Sequence, residues 1–376
     1  MRGPAVQPIV IAAGGTGGHF FPAEALAAAL AARGHRIVLM TDARSAGLTS
    51  AVFAGREQYV LSGAGIAGRG VARGAKAMLG LAAGVAQAHG VLGRIGAACV
   101  VGFGGYPCVA PVLASHLLRS KPSVILHEQN AVLGRANRFL VTRADVLALS
   151  FAATERVPAR VQAVETGNPV RPVVGALRRT IYTAPNERIA LLVLGGSLGA
   201  RVLSDVVPAA LRSLPETFRA HVTVTQQCRA EDLERVAAAY AEAGITAELS
   251  AFFPDVAARL AAAHLVIARA GASTVAELAV AGRPAILVPL PGAIDDHQSA
   301  NARVLAHAGG AWVMPQSHFT PTALADRLMC LLSDPVSLAA AAAAARDQAR
   351  PDAADCLADL VEARIPQPAV APGDRS

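Results

Sequence analysis

The stretch PIVIAAGGTGGH, residues 8–19, decides the fold class. Ile9, Val10 and Ile11 form a β-branched run, which is typical of a buried strand. A glycine-rich loop follows, and a helical pattern of apolar residues then covers 23–32. A strand, a glycine loop and a helix in this order are typical of the opening unit of a doubly wound parallel sheet.

The same order recurs in the second half of the chain, as a strand over 189–194, a glycine loop over 195–199 and a helix over 200–211. Other apolar runs that predict strands are 37–40, 98–101, 123–126, 146–149, 222–225, 265–268 and 285–288. Short apolar strands separated by helices indicate parallel sheets covered on both faces. The sequence therefore predicts an α/β chain with two doubly wound domains, joined at the turn-rich residues 166–171.

The length and the cysteines are consistent with two cytoplasmic domains. A chain of 376 residues is too long for one ordinary core. The five scattered cysteines include no C-x-x-C pair, so we expect buried thiols in a reducing compartment rather than disulfides or a zinc site. The N-terminal stretch lacks a basic region and an adequate apolar region, so it is interpreted as a first strand and not as a signal peptide.

The net charge of +7 is unevenly distributed along the chain. Residues 1–165 hold 16 basic and 7 acidic residues (+9), and the remainder holds 18 basic and 20 acidic residues (−2). Between Glu57 and Glu128 there is no acidic residue, and the basic residues there are Arg69, Arg73, Lys76, Arg94, Arg119 and Lys121. Such a stretch indicates an anionic partner, either nucleic acid or a membrane surface.

Residues 71–93, flanked by basic residues, fit a helix that rests at a membrane interface. A core helix with a few solvated basic residues is the alternative. A membrane-spanning segment is rejected here, because a spanning helix needs about 20 continuous apolar residues. The longer apolar run that follows is interrupted by GFGGYP at 102–107.

The first glycine loop suits an anionic ligand, since its backbone can approach a ligand closely at a helix N-terminus. It is not a G-x-G-x-x-G motif, because Phe20 stands where the last glycine would be. Asp42, at the end of the second strand, keeps an NAD site open as an alternative. His19 is the residue type that a base needs near neutral pH, although a structural or helix-capping histidine is equally consistent with the sequence.

The second half carries three further candidate segments. The loop 195–200 repeats the phosphate-loop pattern, or is a structural turn. In RAGASTVAE, residues 269–277, Ser273 and Thr274 offer hydroxyls at a helix start, and Glu277 could accept hydrogen bonds from ribose hydroxyls; a capping box is the alternative. Gln298 and Asn301 share a helix face and could bind sugar hydroxyls. Asp295-Asp296-His297 lacks a second ligand cluster, so a metal site is not favoured.

Together these segments resemble the MurG family, the peptidoglycan glycosyltransferases that convert lipid I to lipid II. The resemblance rests on an ordered set of motifs over about residues 9–360: GGTGGH at 14–19, GGY at 104–106, HEQN at 127–130, GNPVR at 167–171, GGSLGA at 195–200, RAGASTVAE at 269–277 and DDHQSAN at 295–301. Each motif alone is weak, whereas the ordered set is specific.

The resemblance implies a GT-B fold, two Rossmann-like doubly wound domains facing across a cleft. Residues 1–165 would form the domain for the acceptor lipid and the membrane, and residues 166–350 the UDP-GlcNAc domain. A terminal helix within 351–365 would pack back on the first domain. The Pro-rich tail, 366–376, is expected to be disordered.

The resemblance also implies roles for individual residues. His19 would be the catalytic base, with Tyr106 and Glu128 on the acceptor side. Ser273 and Thr274 would face the diphosphate, Glu277 the ribose and Phe253 the uracil, and Gln298 with Asn301 the GlcNAc hydroxyls. The remaining donor-site residues would be Thr16, Gly17, Gly18, Asn130, Arg171 and Ser197. The predicted membrane patch is Arg69, Arg73, Lys76 and Arg94.

The activity that the resemblance implies is an inverting transfer of GlcNAc from UDP-GlcNAc to the C4 hydroxyl of the muramyl sugar of lipid I, with no cofactor and no metal. The enzyme would be a peripheral protein on the cytoplasmic face of the inner membrane, with cell-wall synthesis proteins as partners and a role in cell division and shape. The alternatives are a UDP-GlcNAc 2-epimerase, an NAD oxidoreductase and a nucleic-acid-binding protein. With only 4% aromatic residues, base stacking is not favoured, so we expect no nucleic acid.

Overall fold

The structure is a computed structural model, and it describes residues 7–14, 17–45, 50–62, 71–196 and 199–365, with the side chains of 71–76 left aside. The chain forms two compact units. Unit 1 consists of Met1–Gln129, Leu133–Pro169 and Asp352–Ser376, and unit 2 of Asn130–Val132 and Val170–Pro351.

Unit 1 contains a parallel sheet with helices on both faces. Its elements before the junction are β1 (Ile9–Ala12), α1 (Gly17–Ala32), β2 (Ile37–Asp42), β3 (Glu57–Leu61), α2 (Val71–Ile95), β4 (Cys99–Gly102), α3 (Val109–Ser115), β5 (Ser123–Glu128), α4 (Arg135–Leu140), β6 (Val146–Leu149) and β7 (Ala163–Glu165). Within the described residues, the strands form one seven-stranded sheet in the order β3-β2-β1-β4-β5-β6-β7. β1 pairs in parallel with β2 and β4, so it lies inside the sheet.

Unit 2 repeats this architecture. Its elements are α5 (Pro172–Gly175), β8 (Ile189–Leu194), α6 (Arg201–Arg212), α7 (Glu216–Arg219), β9 (Val222–Gln227), α8 (Leu233–Glu242), β10 (Thr246–Ser250), α9 (Val256–Ala262), β11 (Leu265–Ala268), α10 (Ala272–Ala281), β12 (Ala285–Leu287), α11 (His297–His307), β13 (Ala311–Val313), α12 (Pro321–Leu332) and α13 (Pro335–Asp347). The described strands are ordered β10-β9-β8-β11-β12-β13. β8 therefore occupies in unit 2 the place that β1 occupies in unit 1, between the second and the fourth strand.

The last helix, α14 (Ala353–Glu362), belongs to unit 1 and packs on α1. Its residues Leu357, Ala358 and Val361 are fully buried in the same apolar cluster as Ile9 and Ile11. Arg33, near the end of α1, forms ion pairs with three carboxylates of α14: Asp355 at 3.0 Å, Asp359 at 2.5 Å and Glu362 at 2.8 Å. The first and last helices that the structure describes thus pack on the same core.

Alternation along β1 explains why it can form the centre of a sheet. Ile9 and Ile11 point into the cluster beneath α1 and α14, whereas Val10 and Ala12 point into the cluster beneath α2 and α3. All four are fully buried. Burial of an Ile or Val side chain contributes about 1.5–3 kcal/mol, so a strand that is apolar on both faces is strongly held inside the sheet.

The predicted α/β fold class with two doubly wound sheets is confirmed, while individual elements differ from the sequence prediction. α1 begins at Gly17, six positions before the predicted start, and holds Pro22 in its interior. Because proline lacks an N–H group and is unfavourable inside a helix, the helix was predicted to begin only after Pro22. Phe20 and Pro22 are buried here, so packing outweighs local preference.

The cysteines differ from the sequence expectation at two positions. Cys99, Cys108 and Cys228 are buried, as expected, but Cys330 is exposed and Cys356 is half-buried, so the expectation of buried thiols was wrong for these two.

Within the described part of the chain, no single helix is long and apolar enough to cross a membrane. One bent pair, α12 with α13, passes by length and composition alone. The predicted tail, 366–376, lies outside the described residues.

Candidate active site

In unit 1, two polar residues and a glycine turn lie where β1, β4 and β5 end. His19 lies in the first turn of α1, after β1. Gly104 and Gly105 follow β4, and Gln129 directly follows β5. Because the carboxyl ends of neighbouring parallel strands meet at one edge of a sheet, these three loops converge. This edge is the expected place for a ligand.

His19 is held on two sides. Its Nδ1 lies 2.8 Å from Oε1 of Gln129. Its ring rests against Gly104 and Gly105, which have φ of 77° and 67°, a left-handed conformation that favours glycine. A Cβ atom at Gly105 would lie 3.5 Å from Nε2 of His19. Among the described residues, no hydrogen-bond partner reaches this Nε2, so the nitrogen remains available to a substrate.

Gln129 is itself fixed by buried partners. Its Nε2 lies 3.0 Å from the Phe103 carbonyl oxygen and 3.1 Å from Nδ1 of His127. His127 is completely buried, and its Nε2 lies 3.0 Å from the carbonyl oxygen of Gly167. Burial lowers the pKa of His127 to about 4, so this histidine is neutral at pH 7.

The two residues predicted for the acceptor side differ in their surroundings. The hydroxyl of Tyr106 is buried and has no hydrogen-bond partner among the described residues, and burial raises the pKa of this phenol. Buried polar atoms are normally hydrogen-bonded, so this hydroxyl is available to a ligand. Glu128, in contrast, is buried, and its Oε2 accepts hydrogen bonds from Gly134 N and Asn137 Nδ2, both at 2.8 Å.

In unit 2, the start of α10 offers backbone N–H groups to an anion. The helix begins after Gly271, which is extended and makes no side-chain cap hydrogen bond, so the capping-box alternative is wrong. Ser273 and Thr274 lie in the first turn, where N–H groups have no acceptor within the helix. Both side chains are half-buried. This arrangement suits a phosphate group.

Glu277, one turn further along α10, forms an ion pair with Arg171. Oε1 of Glu277 accepts from Nε of Arg171 at 3.0 Å and from Nη2 at 2.8 Å. Burial raises the pKa of Glu277 above its usual range, and the arginine opposes this change. Oε2 has no hydrogen-bond partner among the residues that the structure describes, so it can still accept from a ligand hydroxyl.

Gln298 and Asn301 lie in the first turns of α11 and bind backbone groups. Oε1 of Gln298 accepts from the amides of Ala270 and Leu290, at 3.2 and 3.0 Å. Asn301 is fully buried; its Oδ1 accepts from the amide of Ala131 at 2.8 Å. Its Nδ2 donates to Ala270 O and to Asn130 Oδ1, both at 3.1 Å. Asn301 therefore fixes 130–132 within unit 2, and its contact with a sugar stays a prediction.

The ring of Phe253 is buried, and the guanidinium of Arg259 lies 4.9 Å above it. Its neighbour Phe252 is exposed. The predicted contact of Phe253 with uracil stays a prediction. Gly17 and Gly18 open α1, as a glycine loop at a helix start requires.

Several predicted site residues cannot be placed. Thr16, Ser197 and Arg69 lie outside the described residues, and the side chains of Arg73 and Lys76 are likewise not described. Of the predicted membrane patch, Arg94 is exposed, with its guanidinium 5.9 Å from the ring centre of Tyr59. No group of three or more His, Cys, Asp or Glu side chains in the described part of the chain could hold a metal ion.

An apolar surface lies on α2 and α3 of unit 1. Ala77, Ala88 and Leu92 of α2 are buried, whereas Met78 and Leu79 are 65% and 73% exposed. Between the two helices runs an open groove of about 500 Å³, lined by Met78, Leu81, Ala82, Val85, Ala86, His89, Leu113 and Leu117. We call this set with Leu79 the α2–α3 apolar surface. Large exposed apolar patches of this kind mark interaction sites.

The sequence did not lead us to predict that Gln129, supported by His127, holds His19. Both stand in the motif HEQN, immediately after a buried strand. A cluster of polar residues at the carboxyl end of an inner strand was the available signal. The sequence does not show that Gln129, 110 positions away, contacts His19 in the folded chain.

Two family models match the chain. The glycosyltransferase family 28 N-terminal domain matches residues 9–148, and the family's C-terminal domain matches residues 190–357. The chain is 61% identical over 373 residues to the UDP-N-acetylglucosamine–N-acetylmuramyl-(pentapeptide) pyrophosphoryl-undecaprenol N-acetylglucosamine transferase of Granulibacter bethesdensis, covering 97% of each protein. It is 31% identical to MurG of Acinetobacter baumannii, with a TM-score of 0.77, covering 95% of this chain and 99% of that one.

The chain belongs to the MurG family. This result confirms the identification made from the ordered motifs, the GT-B fold class and the assignment as a glycosyltransferase. A UDP-N-acetylglucosamine 2-epimerase of Listeria monocytogenes is also similar, with a TM-score of 0.64 but only 15% identity. That similarity shows a shared fold alone, and it does not favour an epimerase over a member of the MurG family.

Proposed function

We propose that the chain transfers GlcNAc from UDP-GlcNAc to the C4 hydroxyl of the N-acetylmuramyl sugar of lipid I, giving lipid II and UDP. The near-full-length identity of 61% to the Granulibacter transferase supports these substrates. The observation that carries the chemistry is the state of His19. Its Nδ1 is hydrogen-bonded to Gln129, and no residue that the structure describes bonds to its Nε2, which lies beside a glycine turn.

On the acceptor side, His19 accepts the proton of the attacking hydroxyl as the new β-1,4 bond forms at the anomeric carbon. A positioned base of this kind contributes about 10²–10⁴-fold to the rate. The hydroxyl of Tyr106, which has no hydrogen-bond partner in the described part of the chain, belongs to the same unit and can donate a hydrogen bond to the sugar acceptor. Displacement in one step inverts the configuration of the sugar.

On the donor side, the uncapped N-terminus of α10 binds the diphosphate of UDP-GlcNAc through Ser273 and Thr274. The negative charge that develops on UDP as it leaves is stabilised there by the helix dipole and by N–H groups. Glu277 accepts hydrogen bonds from the ribose hydroxyls through Oε2, while Arg171 holds Oε1. Gln298 positions the loop at Leu290 beside the sugar.

We further propose that the α2–α3 apolar surface attaches the enzyme to an anionic membrane, where a lipid-linked acceptor resides. Exposed Met78 and Leu79 supply apolar area, and the acid-free stretch 58–127 supplies positive charge. A basic residue near such a membrane contributes about 1 kcal/mol, so a few suffice for reversible attachment. Attachment of this kind places the enzyme at the inner face of the cell membrane.

Transfer of radiolabelled GlcNAc from UDP-GlcNAc to a lipid I analogue tests the reaction. We expect His19→Ala to lower kcat about 10²–10⁴-fold with the Kd for UDP-GlcNAc unchanged. His221→Ala is the matched control, because His221 is exposed and precedes β9, at the opposite edge of its sheet from the strand ends that carry the site. Near-full activity of His19→Ala would exclude the base role. Epimerised UDP-sugar, formed with no labelled GlcNAc on the lipid I analogue, would exclude the transfer itself.

Sedimentation with vesicles tests the membrane proposal. Leu79→Glu combined with Leu117→Glu should abolish binding to vesicles that contain anionic lipid, while UDP-GlcNAc binding persists. Ile181→Glu is the control, since Ile181 is 84% exposed but lies in unit 2. Equal sedimentation of both variants and the unaltered enzyme would contradict the proposal.

A further inference from the structure

A chain of hydrogen bonds runs from the Gly167 carbonyl to His19 and has one possible direction. A carbonyl oxygen only accepts, so Nε2 of His127, 3.0 Å from Gly167 O, must donate. His127 is buried and neutral, and therefore its other ring nitrogen, Nδ1, carries a lone pair and accepts. The hydrogen positions are assigned here from the partners.

The amide of Gln129 continues the chain. Its nitrogen lies 3.0 Å from Phe103 O and 3.1 Å from Nδ1 of His127, and a third acceptor, the carbonyl oxygen of His127, lies further away at 3.4 Å. An amide NH₂ has two hydrogens, and the two nearer acceptors take one each. The reversed amide would direct its oxygen at Phe103 O and leave His127 Nδ1 without a donor. Two independent partners thus fix the orientation of Gln129, which is itself 2% exposed.

The fixed amide leaves only its oxygen to face His19. Because Oε1 cannot donate, Nδ1 of His19, 2.8 Å away, must carry the hydrogen. In neutral His19 the lone pair is then on Nε2, the nitrogen that lies beside Gly105 with no partner among the described residues. We propose that Gln129, anchored by His127, is a positioning residue that sets the tautomer of His19 so that Nε2 can accept the acceptor hydroxyl's proton.

The proposal rests on the base role of His19 given above, and it adds a requirement to it. Free histidine prefers the tautomer with hydrogen on Nε2, which could not accept a proton there. A base oriented into the wrong tautomer can lose several orders of magnitude in rate, as is known when the partner of a catalytic histidine is exchanged. Gln129 supplies this orientation with a neutral group and places no negative charge beside the imidazole.

The first experiment observes the tautomer directly and needs no substrate. The full-length enzyme, labelled with ¹⁵N at its histidine rings, is examined by NMR at neutral pH, and His19→Gln identifies the signals of His19. We expect Nδ1 to be protonated and Nε2 to be unprotonated. In Gln129→Met this preference should relax toward the Nε2–H form. An Nε2–H tautomer in the unaltered enzyme overturns the proposal.

The second experiment asks whether Gln129 acts through His19. Gln129→Met should lower kcat on the order of 10–100-fold with the Kd for UDP-GlcNAc unchanged. Gln58→Met is the matched control, because it also removes an amide that donates to a backbone carbonyl, that of Phe53, elsewhere in unit 1. The control should keep its kcat.

A double variant separates positioning from a structural effect. In a His19→Ala background, Gln129→Met should cause no further loss of kcat, since residues that act as a unit are not additive. A further loss as large as that in the unaltered enzyme overturns the proposal. The two failures are distinguishable, because absence of GlcNAc transfer in the unaltered enzyme refutes the proposed function but leaves the NMR result standing.

Discussion

The two units share one strand order but carry different polar groups beyond the carboxyl ends of their inner strands. β1 and β8 each lie between the second and fourth strands of a parallel sheet, and each is followed by a glycine loop and a helix. In unit 1, the residues around that edge form a neutral network through His127 and Gln129. In unit 2, they form an ion pair between Arg171 and Glu277 beside an uncapped helix.

This difference shows how one architecture serves two parts of a reaction. In the proposed reaction, the neutral network of unit 1 would orient the proton acceptor His19 and add no charge to it. The ion pair and the helix N-terminus prepare for a ligand that is strongly anionic. Fold alone therefore does not assign the chemistry, which depends on the side chains that each loop presents.

The largest expected effect comes from breaking the ion pair of unit 2. Arg171→Met leaves Glu277 buried without its partner, and loss of one member of a buried pair costs about 3–5 kcal/mol. Arg171→Met with Glu277→Leu should recover most of that loss. The single tryptophan, Trp312, lies in β13, so its fluorescence during urea unfolding reports on unit 2. If the single variant were as stable as the double variant, the pair would not hold this site together.

The next prediction concerns the neutrality of the network in unit 1. Because the folded pKa of His127, about 4, lies below the unfolded value of 6.5, the unfolded chain binds a proton first as the pH falls. This group's contribution to stability is therefore complete above pH 6.5 and is lost between pH 6.5 and 4, at about 1.4 kcal/mol per unit. From pH 7 to pH 5 the loss is about 2 kcal/mol.

Hydrogen exchange of β5 peptides at pH 7 and pH 5, corrected for intrinsic exchange, measures this loss. His127→Gln is the matched variant, because its amide can still donate to Gly167 O but does not titrate. It should lose about 2 kcal/mol less than the unaltered enzyme over this range. Equal pH dependence in the two proteins would mean that His127 is not the titrating group.

A smaller effect is expected from Asn301 in unit 2, whose uncharged amide bonds the backbone of Ala131 and of Ala270. Asn301→Leu removes the acceptor of Ala131 N and the donor to Ala270 O. A buried hydrogen-bonding group left without a partner costs about 1–3 kcal/mol, so unfolding monitored by Trp312 should shift by roughly that amount. Hydrogen exchange of the Ala131 amide should also accelerate. An unchanged exchange rate would mean that contacts other than Asn301 hold residues 130–132.

The smallest effect is expected away from both sites, at the ion pairs between α1 and α14. Arg33→Gln removes three ion pairs, but Asp355 and Asp359 are about two-thirds exposed. Exposed pairs contribute about 0–1 kcal/mol each and are screened by salt. The variant should therefore lose about 1 kcal/mol at low salt and less at 1 M salt, measured by exchange in α14. A loss that salt leaves unchanged would indicate packing instead of charge.

The sequence predicts the inner strands well because their signal is local. The runs at β1, β6 and β11 are continuous and apolar, as strands buried on both faces must be. The edge strands β3 and β10 were missed, since their residues are mostly exposed or half-exposed and carry no apolar run. The start of α1 was missed because glycines and Pro22 conceal a helix that packing stabilises.

The site was predictable as a set of loops, and less so as a set of contacts. The motifs located His19, the start of α10 and Glu277, because each directly follows an inner strand or opens a helix. That Arg171 binds Glu277, 106 positions away, has no trace in either motif. Likewise, nothing local distinguishes Asn301, which is buried against Ala131, from Gln298 three positions earlier.

The return of α14 to unit 1 has a consequence for synthesis of the protein on the ribosome. The core around Ile9 and Ile11 lacks Leu357, Ala358 and Val361 until the last helix has been translated. All of Val170–Pro351 is made in between, and at 5–20 residues per second this takes about 10–40 s. The half of the enzyme that is translated first is thus completed last. Until α14 has been made, the apolar face of α1 that it covers stays exposed on the nascent chain, and a chaperone would have to cover it.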